Sequence, residues 1–205
     1  TASLHDVTYD GYTVAEVRAD LAYSHDRVDI ASLSAQAYGA SLMGKGVYDV
    51  RSGAYEADAD VQGLDLSALP GVPAAVMGNL SASLHAAGNS QDGSIVATGQ
   101  VKASDLSYNG LTVDTAAGNV AYDGRIVTLR SGHAEAGGGS VDVSGSYDVD
   151  SKTPHLTFTG HDLPLDMASP FVSLPLSGTA DLSGHVDGSQ WDVASSASQG
   201  PICLL

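Results

Sequence analysis

The sequence predicts an all-β protein: a long, mostly antiparallel, curved sheet with one apolar face, carried by two repeats of about 99 residues. Three observations predict it. Apolar residues recur with period two, glycine-centred turn signals punctuate these runs, and the chain matches itself over most of its length.

The self-match sets Asp6, Tyr9, Gly11, Thr13, Val14 and Tyr23 on Asp105, Tyr108, Gly110, Thr112, Val113 and Tyr122. It continues without a gap through Gly39, Gly46, Tyr48 and Asp49, which meet Gly138, Gly145, Tyr147 and Asp148, and through Leu64 and Leu66, which meet Leu163 and Leu165. After a slip of one position, Gly78, His85 and Gly88 meet Gly178, His185 and Gly188. The organisation expected is a first repeat over 1–78, a second over 79–177 and the start of a third with an off-pattern end over 178–205, all in one continuous unit.

Within each copy the strand period is plain. Tyr55, Ala57, Ala59 and Val61 interleave with Glu56, Asp58 and Asp60, while Val141, Val143, Tyr147 and Val149 interleave with Asp142, Ser144, Asp148 and Asp150. Alternate side chains of a strand point to opposite faces, so each run has one dry face and one acidic face. Tyr9-Asp10-Gly11, Asn109-Gly110 and Asp123-Gly124 supply the positive φ of tight hairpins, which makes neighbouring strands antiparallel. The stretches from Leu64 to Met77 and from Leu163 to Pro175 carry prolines and read as irregular connectors with room for a helical turn. Seven or eight strands per copy, some sixteen in all, would extend a sheet by roughly 75 Å. No helical layer is encoded to cover the dry face, so the sheet must fold that face onto itself as a sandwich, a solenoid or a bent trough.

Composition narrows the function. Eight Lys and Arg stand against 24 Asp and Glu, a formal net charge of −16 that repels phosphate backbones, gives no electrostatic pull toward anionic lipid headgroups and makes nucleic acid a poor partner. A single Cys, Cys203, cannot form an internal disulfide. His5, His25, His85, His133, His155, His161 and His185 lack metal-ligand spacing, and the pair His161-Asp162 faces only Gln62-Gly63 in the other copy. Asp58 with Asp60 and Asp148 with Asp150 read as solvated strand-face carboxylates, and the glycine-aspartate calcium nonapeptide is absent after Gly137-Gly138-Gly139. No nucleophile elbow, phosphate loop or dinucleotide fingerprint occurs, so neither enzyme activity, cofactor nor metal is expected.

The order of signals in a copy carries a resemblance. Hairpins with Asp-Gly or Asn-Gly turns lead to Gly137-Gly138-Gly139 and then to the strand Ser140–Asp148; Leu163-Pro164-Leu165, a proline-bearing connector and Leu176–Gly184 follow. From about Asp6 to Gly188 this resembles the repeat of the TamB and AsmA-like family of bacterial envelope proteins, the translocation and assembly module among them. The resemblance implies a β-taco, a U-shaped trough whose apolar concave face shields lipid acyl chains, phospholipid foremost, across the periplasm in lipid transport or outer-membrane biogenesis. It further implies a full-length protein anchored in the inner membrane and an outer-membrane barrel partner met through other regions of that protein.

Under that resemblance the groove lining in the first copy comprises Val7, Tyr9, Val17, Leu21 and Tyr23, then Ala57, Ala59 and Val61. In the second copy it comprises Leu106, Tyr108, Val120 and Tyr122, then Val141, Val143, Leu156 and Phe158. The same repeat also suits a surface adhesin or structural stalk in which these residues pack into a closed core.

Overall fold

A computed structural model describes residues 2–9, 12–168 and 177–199, with the side chains of Val7, Tyr9, Tyr12, Ala168 and 197–199 set aside. Thirteen strands form one sheet in strict chain order, every neighbouring pair antiparallel. They are β1 (Ala2–Tyr9), β2 (Tyr12–Ser24), β3 (Arg27–Ala37), β4 (Ala40–Asp49), β5 (Ala54–Asp65), β6 (Val76–Asn89) and β7 (Ser94–Tyr108). The second half adds β8 (Leu111–Tyr122), β9 (Ile126–Ala136), β10 (Gly139–Asp148), β11 (Thr153–Pro164), β12 (Thr179–Asp187) and β13 (Gln190–Gln199). The sheet is curved and does not close, because β1 and β13 pair only inward. Twelve inter-strand steps of ~4.8 Å give it a run of roughly 58 Å.

The strand count corrects the expectation of sixteen. The strands are fewer and longer, up to 15 residues in β7, because bulges carry a strand through places where the alternation breaks. In the first half the register shifts between Asp20 and Leu21, between Ile30 and Leu33, and between Val61 and Leu64. In the second half it shifts between Asn119 and Val120, between Leu129 and Gly132 (paired with Gly145 and Val143), and between Gly160 and Leu163. Each shift in one half has its counterpart in the other, so β1–β6 and β7–β12 are structurally equivalent sets. Bulges bend a strand and strengthen its twist, and their recurrence accounts for a sheet that curves in a regular way.

Positive backbone φ recurs at the same places. Asp6 (51°) matches Asp105 (55°), Tyr38 (51°) matches Gly137 (57°), and Gly63 (71°) matches Asp162 (50°). Asn109 and Gly110, at 51° and 88°, make the two-residue turn that joins β7 to β8, as their sequence predicts. The connectors hold short 3-10 helices, Leu66–Ala68 and Leu165–Ala168, the first capped by Asp65, whose carboxylate accepts from the Ser67 amide at 2.9 Å. Strand β11 runs on through Pro164 and β5 through Asp65, each two residues into the predicted connector. The predicted turn at Asp10-Gly11, the connector segment 169–176 and the off-pattern end from Gly200 to Leu205 lie outside the described residues.

Candidate functional site: two rows of small and apolar side chains

The register places side chains in rows that run across the whole sheet. One row takes a residue from every strand: Ala2, Ala19, Leu33, Gly44, Ala59, Leu84, Gly99, Val120, Leu129, Gly145, Leu156, Val186 and Trp191. A second row on the same face does likewise: Leu4, Val17, Ala35, Leu42, Val61, Ala82, Val101, Gly118, Gly132, Val143, Phe158, Gly184 and Val193. Neither row contains a polar side chain.

Between these rows, and pointing the other way, lies a third: Ser3, Arg18, Ser34, Met43, Asp60, Ser83, Gln100, Asn119, Ser131, and, past the β9–β10 bulge, Ser144, Thr157, His185 and Asp192. Every residue of this third row is exposed. In the two apolar rows the positions from β2 to β12 are half-buried or buried, and only the ends on β1 and β13 are open. Among the described residues the buried apolar side chains are small or medium: Ala40, Ala82, Ala136, Ala180 and Val186.

The half-burial comes from neighbours within the same layer. Large side chains lie over a glycine of the adjacent strand: a β-carbon at Gly99 would sit 2.6 Å from Leu84 Cδ2, one at Gly118 2.7 Å from Leu129 Cδ1, and one at Gly184 2.8 Å from Phe158 Cζ. Glycine in a strand interior weakens it, and here close approach by a neighbour is the compensating reason for its presence.

The residues expected from sequence are placed as follows. Ala59, Val120 and Leu156 stand in the first apolar row, and Val17, Val61, Val143 and Phe158 in the second. Leu21, Ala57 and Tyr122 fall in a flanking row with Ile30, Gly46, Ala86 and Ala97, and Val141 aligns with Ala134 and Gly160. Leu106 pairs with Val113 and is half-buried, brought to that side because the positive φ of Asp105 shifts the alternation by one. Tyr23 and Tyr108 sit at strand ends and are largely exposed. The side chains of Val7 and Tyr9 lie outside the described ones; their backbones pair with Val14 and Tyr12. Sequence reasoning missed Ile30, Leu33, Leu42, Leu84 and Leu182. Three-residue spacings such as Ile30 to Leu33 and Val61 to Leu64, each astride a bulge, were the signal.

All nine tyrosines occupy turns or lie within one residue of a strand end. Several hold neighbouring hairpins: the Thr13 amide donates to Tyr38 Oη at 2.8 Å, and Tyr48 Oη lies 3.1 Å from Ser90 Oγ; Tyr122 Oη instead closes its own turn, donating to the Gly124 carbonyl at 2.7 Å.

The polar face is a set of cross-strand pairs. His85 Nδ1 lies 2.9 Å from Asp58 Oδ1, with Lys45 3.5 Å from the same carboxylate; His133 meets Asp142 and His155 meets Asp187, each at 2.8 Å. The His85 hydrogen bond, with a smaller contribution from Lys45, holds Asp58 below the ordinary carboxylate range. No group of three or more His, Cys, Asp or Glu that could hold a metal ion occurs among the described residues. His85 and His185 share one strand position, opposite Asp58 and Thr157. Asp148 and Asp150 do not share a strand face, contrary to the alternation: β10 ends at Asp148, and both carboxylates turn to Arg125, at 2.5 and 3.7 Å. The Arg125 hydrogen bond, followed by the Ser151 amide, lowers Asp148 to about 2.

Compared with protein-family models, with curated proteins and with solved structures, the chain shows no match.

Proposed function

We propose that this chain is a stretch of a lipid-shielding trough of the TamB and AsmA-like kind, in which the two apolar rows form the floor of a groove for acyl chains. The observation that carries the reading is their continuity: between them the two rows take a side chain from each of thirteen strands, none of them polar, on the face opposite an exposed row that is polar but for Met43. The absence of fully buried large side chains among the described residues supports an open groove over a closed stalk core. An acyl chain in such a groove gains ~0.8 kcal/mol for each methylene removed from water, so ten methylenes contribute roughly 8 kcal/mol before the cost of ordering the chain. Directed polar contacts are unnecessary, and the reading assigns no catalytic residue. Under it the stretch works in the periplasm, in a protein held in the inner membrane, and supports lipid transport or outer-membrane biogenesis.

The test places a carboxylate in the floor. Ala59→Asp, Val143→Asp or Phe158→Asp should each lower the lipid retained by the purified chain, measured by native mass spectrometry, while circular dichroism reports unchanged strand content. Equal lipid retention in folded variants would refute the groove.

A further inference from the structure

The internal repeat shows how the outer edges of the sheet look when a neighbouring strand covers them. Strand β1 holds β2 only from Tyr12 to Ala19, and among the described residues no strand lies beside residues 21–24 on that side. Their equivalents on β8 are covered, with Gly99 and Ala97 of β7 paired to Val120 and Tyr122. The side chains record the difference: Leu21 and Tyr23 are 50% and 67% exposed, while Val120 and Tyr122 are half-buried. At the far edge β13 is a third strand of the β7 kind. His85 pairs with Thr98 and its counterpart His185 with Asp192, which sets Trp191 and Val193 at the positions of Ala97 and Gly99. Ala97 and Gly99 are half-buried; Trp191 and Val193 are 71% and 52% exposed. Edge strands are commonly guarded by lysine, proline or a bulge, and residues 191–196 carry none of these.

We infer that one copy of this chain joins the next edge to edge, β13 of the first pairing antiparallel with β2 of the second in the register of β7 on β8. That register sets Trp191 opposite Tyr23 and Val193 opposite Leu21, so the exposed apolar side chains of one edge meet those of the other. On the opposite face Asp192 falls across from Ala22 and Ala194 from Asp20, so no two carboxylates stand directly opposite each other. The backbone edges match as well. The free side of β13 is the side that β7 turns to β8, and the side of β2 in question is the one that β8 turns to β7. Further along, Ser195 meets Ala19, the position that Ala2 holds within one chain, so β1 gives way as the pairing extends. The contact uses different surfaces of the two copies, which leaves one edge of each kind open at the ends of an assembly and lets the copies grow into a row. It draws on strand edges and does not rest on the groove reading.

The experiment follows mass by analytical ultracentrifugation, and tryptophan emission beside it, over a dilution series of the purified chain. Salt is present to screen the repulsion between copies of formal net charge −16. Trp191 is the sole tryptophan, so emission reports on the joint itself. The average mass should at least double from the dilute to the concentrated end, with emission moving to the blue over the same range. Val193→Lys spoils the incoming edge and Tyr23→Lys the receiving edge, and each variant alone should keep the mass of one chain. Mixed, the two should form a pair and go no further, because one sound edge of each kind remains. Tyr23→Lys leaves β13 untouched, so it tests the joint even where Val193→Lys loosens its own strand. A mass that stays constant across the series, self-association of Tyr23→Lys through a symmetric β13 contact, or a mixture that stays as single chains would overturn the inference.

Discussion

The two halves of the sheet, β1–β6 and β7–β12, share a backbone and differ in side chains, and the differences come in matched pairs. In the first half Leu33 faces Gly44; at the equivalent pair in the second, Gly132 faces Val143. Ala59 faces Leu84 in one half, and Phe158 faces Gly184 in the other. Large and small have changed strands while the row stays filled. The turns repeat the exchange in electrostatic form: Arg51 reaches Asp26 at 2.5 Å, and at the equivalent positions Arg125 lies 3.7 Å from Asp150 with the signs reversed. Three bulges and most positive-φ positions are kept, although Asp26 (64°) has no positive-φ counterpart at Arg125 and Gly145 (147°) has none at Gly46. The comparison teaches that the cross-strand pair is the unit of constraint in this sheet, with the backbone irregularities setting the curve on which the pairs sit.

The most disruptive way to break this relation is to enlarge one member of a size pair. A β-carbon at Gly132 would lie 2.9 Å from Val143 Cγ1 and 3.0 Å from Leu129 Cδ2, so Gly132→Leu should cost about 2–3 kcal/mol by overpacking, read as a lowered denaturation midpoint. Adding Val143→Gly rebuilds the pair of the first half and should recover most of the loss. A double variant no better than the single would show that the exchange is accidental.

Reversing one charge tests the same relation with a smaller effect. Arg51→Asp sets two carboxylates side by side in neighbouring turns and should lower the midpoint slightly, within the ~1 kcal/mol typical of exposed pairs. Asp26→Arg together with Arg51→Asp should restore it, because the second half already uses that polarity.

The smallest effect lies in acid. Asp148, held at about 2 by the Arg125 hydrogen bond, is depressed below its unfolded value of 3.8, so its contribution is complete above that value and is lost as pH falls through about 2. Asp148→Asn should flatten this part of the acid limb in a pH series of denaturation midpoints. Asp49, lowered by the Ser52 amide and hydroxyl, and Asp123, lowered by the Ile126 amide, would keep part of the slope.

Much of the fold was legible because its signals are local. Asn109-Gly110 dictates a tight turn, Tyr55 to Val61 dictates an alternating strand, and the one-residue slip between His85 and His185 reappears in the register opposite Asp58 and Thr157. The strand number was not legible, because a bulge mimics a strand end: the stretches from Leu64 and from Leu163 read as connectors, yet the chain continues in the same ladder to Asp65 and Pro164. For the same reason Leu33 escaped the list of groove residues. The filling of glycine positions by a neighbour, as at Gly184 by Phe158, depends on register across strands and has no signature along one strand.

The central claim is that one face of this sheet, and not the other, meets acyl chains. Thr157 and Phe158 are adjacent in β11, one in the exposed polar row and one in the second apolar row, so they sample the two faces at the same height. The direct measurement is photo-crosslinking from each position in turn to lipid carried by the protein. The account predicts lipid attached from position 158 and none from position 157; equal attachment from both, or attachment from 157 alone, would contradict it.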